Sequence, residues 1–104
     1  MEVLKVPNDD SSAMAVTLHR RIFERHPQLS EDDVRTAWNH AFYEAVRTGV
    51  PNPPEFLRIG IDGKGRMVEM VGVLLVDGRW LVYHANTPVS RRVRAEIEKG
   101  VRRR

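Results

Sequence analysis

The sequence predicts a single α+β domain with two N-terminal helices, a three-stranded antiparallel meander and a C-terminal helix. Two patterns support this class. Apolar residues recur at helical spacing up to residue 48, and they alternate with other residues between positions 56 and 84. The chain has 104 residues, which suits one domain, and its 41% hydrophobic and 30% charged residues are typical of a globular protein.

The first helix is predicted to follow a turn-like lead-in over residues 1–10 and to end before Pro27, because proline pushes the preceding residue out of the helical region. Ser11 or Ser12 can cap this helix by accepting a hydrogen bond from its first turn. Its apolar stripe is spaced four residues apart and consists of Met14, Leu18 and Ile22.

The second helix is predicted to begin after Ser30, whose hydroxyl can cap it, and three acidic residues follow where the helix dipole favours them. Gly49 and Pro51 are expected to end it, so that residues 11–48 hold both helices. The apolar stripe of this second helix comprises Val34, Ala37, Trp38, Ala41 and Ala45.

Three strands are predicted over residues 56–61, 66–76 and 79–84. The turn Asp62-Gly63-Lys64-Gly65 joins the first two, and Asp77-Gly78 is a two-residue hairpin turn between the second and third. Tight turns between successive strands predict an antiparallel sheet over residues 56–84.

A last helix is predicted over residues 88–101, because Pro88 fits a first helical turn and Val89, Val93 and Ile97 recur four apart. The remaining residues, 102–104, are expected to form a basic tail.

The composition and the charge distribution limit the classes of function. No apolar stretch is long enough to cross a bilayer, no secretory signal is present and there is no cysteine, so a soluble cytoplasmic protein is expected. Residues 1–55 hold six Lys/Arg against nine Asp/Glu, a net of −3, whereas residues 56–104 hold eleven against five, a net of +6. A basic C-terminal half favours a polyanionic or acidic partner.

Alternation along the predicted strands indicates which side chains share a face of the sheet. Leu57, Ile59 and Ile61 are expected to face the helices, so Arg58 would lie on the open face. Glu69 is the only charged residue in an apolar run, and burying it unpaired would cost several kcal/mol, so it needs water or a cation. Arg58 is the obvious candidate if both residues lie on the open face. The sequence does not determine whether Tyr83 or His84 shares the face of Arg58.

Two interpretations of these side chains stay open. One is a shallow cationic groove in which guanidinium groups hold phosphates and a residue near neutral pKa handles protons. The phosphate-binding candidates are Arg58, Arg66, Arg91 and Arg92, and the proton-handling candidates are His84, Glu69 and Tyr83. The other interpretation is structural, with a cross-strand ion pair between Arg58 and Glu69 and a partly buried His84 at a strand end.

Other chemistries are disfavoured. His19 and His26 lie seven residues apart, wider than a typical metal-binding pair on a helix, so we expect no metal site and no cofactor. The segment Gly63-Lys64-Gly65 lacks the spacing of a phosphate-binding loop. A helix-turn-helix in the first half would need cations near its recognition helix, which the net charge of −3 opposes.

A family resemblance is carried by four segments: Ile59-Gly60-Ile61-Asp62, Gly65-Arg66-Met67-Val68-Glu69-Met70-Val71, Trp80-Leu81-Val82-Tyr83-His84-Ala85 and Pro88. They resemble small bacterial toxins of the BrnT-like group within the RelE superfamily. In that group a Gly-Arg-hydrophobic-hydrophobic-Glu strand precedes a strand ending in His-Ala and a basic helix. The segments Glu24-Arg25-His26-Pro27 and Ser30-Glu31-Asp32-Asp33-Val34 resemble its helical lead-in.

This resemblance implies the toxin of a type II toxin–antitoxin pair, a metal-independent endoribonuclease that cleaves mRNA and is neutralised by a cognate antitoxin. The assembly would be either a homodimer or a toxin–antitoxin hetero-oligomer. His84 would be the general acid or base, and Glu69 its orienting partner or the base. Arg58 and Arg91 would stabilise phosphate charge. The nucleic-acid-binding residues would be Lys64, Arg66, Tyr83 and Arg92.

The alternative function is a non-catalytic interaction module. It would be a degenerate toxin or an adaptor that binds an acidic protein through the basic face of its sheet.

Overall fold

The computed structural model describes residues 16–47 and 53–102, which form a five-stranded mixed sheet flanked by three helices. The elements in chain order are β1 (Val16–Leu18), α1 (Arg21–Arg25), α2 (Glu31–Asn39), β2 (Ala41–Arg47), β3 (Glu55–Ile61), β4 (Met67–Leu74), β5 (Trp80–Asn86) and α3 (Arg91–Arg102). The strand order is β1-β5-β4-β3-β2; β1 and β5 are parallel and the other pairs are antiparallel. None of the helices in these ranges is long and apolar enough to span a membrane.

The predicted meander is present as β3, β4 and β5, and both predicted turns form between these strands. In the first turn the Asp62 N–H donates to the Arg66 carbonyl over 3.0 Å. Gly65 and Gly78 have φ values of 80° and 90°, a left-handed conformation that favours glycine.

The second predicted helix is too long, because α2 ends at Asn39 and the following residues form the edge strand β2. Ala41 and Ala45 fit a helical stripe four residues apart, but they also fit an alternation of two. The observed burial alternates from Ala41 to Arg47, with Phe42, Glu44 and Val46 exposed, which is the pattern of a strand covered on one face. Pairing with β3 satisfies the backbone groups along one side of this segment.

The first predicted helix is also too long. Val16–Leu18 is a strand that pairs in parallel with β5, and only Arg21–Arg25 is helical. Leu18 and Ile22 do contact the same apolar cluster, as the stripe predicts, but from a strand and a helix. The predicted lead-in, residues 11–15, Gly49, Pro51 and residues 103–104 lie outside the described residues.

Serine side chains cap the two longer helices. Ser30 Oγ accepts from the Asp33 N–H over 3.1 Å, and Asp33 Oδ2 accepts from the Ser30 N–H over 2.8 Å, which confirms the predicted cap and makes it a capping box. At α3, Ser90 Oγ accepts from the Val93 N–H over 3.2 Å. The last helix therefore begins at Arg91, three residues later than predicted.

Helices cover both faces of the sheet. On the first, which we call the helix-pair face, α1 and α2 pack around Trp38, Val68 and Met70. On the second, which we call the groove face, Val89 and Val93 pack on Leu57 and Ile59. Arg58 was expected on an open face, yet its strand neighbour Gly60 lies so close under α2 that a Cβ there would be 1.8 Å from the Ala37 carbonyl oxygen.

Candidate active site

The centre of the groove face is a buried carboxylate that is fully hydrogen-bonded. Glu69 lies on β4, and its side chain is 4% exposed. Its Oε2 accepts from His84 Nε2 over 2.8 Å, and its Oε1 accepts from the Ser90 N–H over 2.6 Å. Glu69 thereby joins β4, β5 and the start of α3 at one point.

A β-bulge on β5 places both Tyr83 and His84 on this face. Val71 is opposite His84 and Gly72 is opposite Val82, so Tyr83 is the extra residue between the two pairs. Strict alternation would send Tyr83 and His84 to opposite faces. With the bulge, Tyr83 packs against the apolar cluster under α3, while His84 reaches Glu69.

The hydrogen bonds of Glu69 determine its ionisation. Burial alone would raise the pKa of Glu69, but the bonds from His84 and Ser90 outweigh this effect and hold the pKa below its ordinary value. An ionised carboxylate cannot donate, so Nε2 of His84 is the donor in this hydrogen bond. The His84 side chain is 37% exposed, so its ring is accessible from solvent.

Two adjoining cavities form a groove around this pair, with volumes of about 500 Å³ and about 200 Å³. They share His26, Tyr83 and His84. The larger cavity is also lined by Arg47, Glu55, Glu69, Val71, Asn86, Ser90, Arg92 and Val93. The smaller is also lined by Arg21, Ile22, Arg25 and Ala85. We refer to the two cavities together as the groove.

A second imidazole lies beside His84. The ring centroids of His26 and His84 are 6.3 Å apart, and the ring planes make an angle of 87°. His26 was predicted only as a disfavoured metal ligand, and its position beside His84 could not be predicted because residues 26 and 84 meet only in the folded chain. The one sequence feature that includes His26 is the family-like segment Glu24-Arg25-His26-Pro27.

Three arginines that line the groove belong to residues 1–55, the half of the chain with net negative charge. Arg21 and Arg25 lie on α1 and line the smaller cavity, and Arg47 at the end of β2 lines the larger one. Arg47 is bridged to Glu55 over 3.6 Å and to Glu96 over 3.5 Å. None of the three was a predicted site residue, because the summed charge of a segment does not indicate where its side chains converge.

The predicted partnership of Arg58 with Glu69 is wrong. Glu69 is in register with Ile59, and Arg58 points to the helix-pair face. There Arg58 Nε donates to Glu44 Oε2 over 2.8 Å, and the guanidinium carbon lies 4.2 Å from the Trp38 ring centroid. Arg58 is therefore outside the groove.

Two of the predicted nucleic-acid-binding residues, Lys64 and Arg66, are bound to carboxylates outside the groove. Lys64 Nζ lies 3.1 Å from Asp33 Oδ2, and Arg66 lies 3.0 Å from Asp33 and 2.8 Å from Asp62. The N–H of Ser30 lowers the pKa of Asp33, and the Lys64 ammonium adds to this effect against burial. Burial raises the pKa of Asp62, but bonds from Arg66 and Lys64 bring it below its ordinary value. These contacts join α2 to the β3–β4 turn.

The two remaining phosphate-binding candidates, Arg91 and Arg92, lie at the start of α3 and differ in position. Arg92 lines the larger cavity, whereas Arg91 is exposed and lines neither cavity. The structure therefore brings Glu69, Tyr83, His84 and Arg92 together and places Arg58, Lys64, Arg66 and Arg91 elsewhere. Within the described ranges, no group of three or more His, Asp and Glu side chains is arranged to hold a metal ion.

Comparisons with known proteins add nothing to this geometry: no protein-family model, no curated protein and no solved structure matches the chain. The resemblance to BrnT-like toxins therefore stays a prediction. The groove itself is the observation that bears most directly on function.

Proposed function

We propose that the protein is a metal-independent endoribonuclease. The observation that carries this proposal is the hydrogen-bonded pair of Glu69 and His84, with the His26 ring 6.3 Å from that of His84 in a groove lined by arginines. Two imidazoles can supply the two proton transfers in the cleavage of RNA by its own 2′-hydroxyl, and nearby guanidinium groups can stabilise the negative charge on the phosphate.

In the proposed reaction one imidazole removes the proton of a ribose 2′-hydroxyl. The 2′ oxygen then forms a bond to the adjacent phosphorus, and the bond from phosphorus to the 5′ oxygen breaks. The second imidazole gives its proton to that leaving oxygen. The products are a 2′,3′-cyclic phosphate and a 5′-hydroxyl, and the two histidines have exchanged protonation states.

The attacking and leaving oxygens lie on opposite sides of the phosphorus in an in-line displacement, so the base and the acid must flank the phosphate. The rings of His26 and His84, with centroids 6.3 Å apart, can supply one such group on each side of the phosphate. Glu69 fixes the orientation of His84 by accepting a hydrogen bond from Nε2, while Arg92 contributes positive charge beside the reacting phosphate.

We further propose that this nuclease is the toxin of a bacterial type II toxin–antitoxin pair, acting on mRNA in the cytoplasm. Glu69 and His84 come from the two strand segments that carry the resemblance to BrnT-like toxins, and the fold brings these two side chains into a hydrogen bond. A cognate antitoxin that covers the groove would present acidic residues to its arginines.

The test is cleavage of single-stranded RNA by the purified protein in EDTA. We expect the wild type to cleave with cyclic-phosphate ends, and His84→Ala to be slower by about 100-fold or more, the range of general acid–base catalysis. His40→Ala is the matched control, since His40 is exposed at the end of α2 and lines neither cavity.

Two results would contradict the proposal. Wild-type protein that does not cleave RNA would favour the non-catalytic module that binds an acidic protein. Equal cleavage by the wild type and His84→Ala would show that the activity does not come from this groove.

A further inference from the structure

The smaller cavity of the groove is distinguished by its charge. Arg21 and Arg25 stand four residues apart on α1, so they lie on one face of that helix, and both line the cavity. No acidic side chain is among its lining residues. The larger cavity instead contains two carboxylates, Glu55 and Glu69.

The neighbouring residues of α1 behave differently. Arg20 Nε lies 3.9 Å from Glu24 Oε2, and both side chains are largely exposed. Among the described residues, Arg21, Arg25 and Arg92 form no ion pair, whereas Arg47, Arg58 and Arg66 are each bridged to a carboxylate. The arginines of the smaller cavity are therefore available to an external anion.

We propose that Arg21 and Arg25 form a second phosphate subsite for a single-stranded RNA that crosses the groove over His26 and His84. This inference rests on the proposed function and extends it. The scissile phosphate lies at the two imidazoles, the next phosphate along the chain lies in the smaller cavity, and a nucleoside occupies the larger one. The substrate must then carry at least two consecutive phosphates.

The two cavities suit these different occupants. The larger cavity presents Tyr83, Val71 and Val93 beside its polar groups, surfaces on which a base can pack. A single strand is required because in-line attack needs a flexible backbone and an unstacked nucleotide, which a regular duplex does not offer.

Binding to an uncleavable RNA tests the subsite separately from catalysis. The probe is a fluorescent 2′-O-methyl hexanucleotide, whose 2′ oxygens have no proton to lose, and its anisotropy is measured at several KCl concentrations. We expect the variant R21A/R25A to bind about tenfold more weakly at 0.1 M salt, because the contact with the second phosphate is lost. The slope of log K against log salt should decrease by about 0.7, since each phosphate that is neutralised on single-stranded RNA contributes about 0.7.

The matched control is R20A/R79A, which removes the same charge from two exposed arginines outside both cavities. We expect this control to lose less than about twofold in affinity. Equal losses in the two double variants would show an effect of net charge alone and would overturn the subsite, as would unchanged binding by R21A/R25A.

Cleavage of the corresponding unmodified hexanucleotide is measured in parallel. If the wild type does not cleave it, the proposed nuclease function fails, while the binding data still decide whether the subsite exists.

Discussion

The two faces of the sheet use the same kinds of side chain for different purposes. On the helix-pair side, Arg58 is bound to Glu44, and Arg66 and the buried Asp62 form a pair at the β3–β4 turn. On the groove face, the two oxygens of Glu69 accept hydrogen bonds from His84 and Ser90, and Arg92 forms no ion pair with any described residue. The position of the carboxylates thus separates cations that hold the fold together from cations that can bind a ligand.

The largest expected effect is on the rate of RNA cleavage, and it tests whether catalysis in the groove needs both imidazoles. His26→Ala should lower the rate of RNA cleavage by about 100-fold, because one of the two proton transfers loses its catalyst. Because the mechanism uses one acid and one base, the wild-type rate should depend on pH with a bell shape, and His26→Ala should lose one limb of this curve. Single-turnover cleavage across the pH range measures both effects.

His19→Ala serves as the control for this variant, since His19 is exposed and lines neither cavity. A bell-shaped profile that persists in His26→Ala would remove His26 from the proposed mechanism.

A smaller effect is expected from Glu69→Gln, which keeps the size of the side chain but removes its charge. We expect kcat to fall about tenfold with KM nearly unchanged, because Glu69 positions His84 and does not touch the substrate. The pKa of Glu69 is held below its ordinary value of 4.5, so the carboxylate is ionised throughout the neutral range. The loss should therefore be the same at every pH above about 5.

Steady-state kinetics at several pH values checks this prediction, with Glu44→Gln on the other face as the control. A loss confined to acidic pH, or one seen only in KM, would contradict the positioning role of Glu69.

On the helix-pair side, the effect should appear in stability rather than in cleavage. Asp62 has a fully buried side chain that accepts bonds from the Lys64 and Arg66 N–H groups and from Arg66 Nε. Asp62→Asn should lower the free energy of unfolding by about 2 kcal/mol, since bonds to charged groups contribute about 1.5–3 kcal/mol each. Urea unfolding measures this change, and Asp77→Asn is the control because Asp77 makes the equivalent turn contacts in solvent.

Asp62→Asn also tests how the stability of the protein depends on pH. The folded pKa of Asp62 lies below its ordinary value of 3.8, so its stabilisation is fully present well above that pH. It is lost as the pH falls through the lower, folded pKa. Asp62→Asn should therefore be less sensitive to acid than the wild type below about pH 4. Parallel acid-unfolding curves for the two proteins would contradict this assignment.

The smallest expected effect is that of Arg58→Lys. Lysine keeps the charge but cannot stack its head group on Trp38 or keep the same bond to Glu44, so we expect a loss of about 1 kcal/mol in stability. Cleavage per folded molecule should stay unchanged. A fall in cleavage comparable to that of Glu69→Gln would mean that Arg58 acts in the site after all.

Features with local causes could be predicted from the sequence. The Ser30 cap, the two glycine-containing turns and the central meander each depend on a few neighbouring residues. The strand Ala41–Arg47 could not be distinguished from a helix, because Ala41 and Ala45 satisfy both periods and its pairing with β3 is not local.

The candidate site could be predicted only in part for the same reason. Glu69 stands out as a charge in an apolar strand, and His84 ends the next strand, but their hydrogen bond requires the bulge at Tyr83. The packing of α1 beside β5 brings Arg25 and His26 to the groove. This tertiary contact could not be predicted from the net negative charge of residues 1–55.

The most direct test of the central claim is an NMR titration of the ¹⁵N-labelled protein with the 2′-O-methyl hexanucleotide. The account predicts that the amide signals of His26, Tyr83, His84 and Ser90 shift together and saturate, with the ring-nitrogen signals of the two histidines. Signals of Arg58, Lys64 and Arg66 should stay in place. Shifts centred on those three residues, with the groove signals unmoved, would contradict the account.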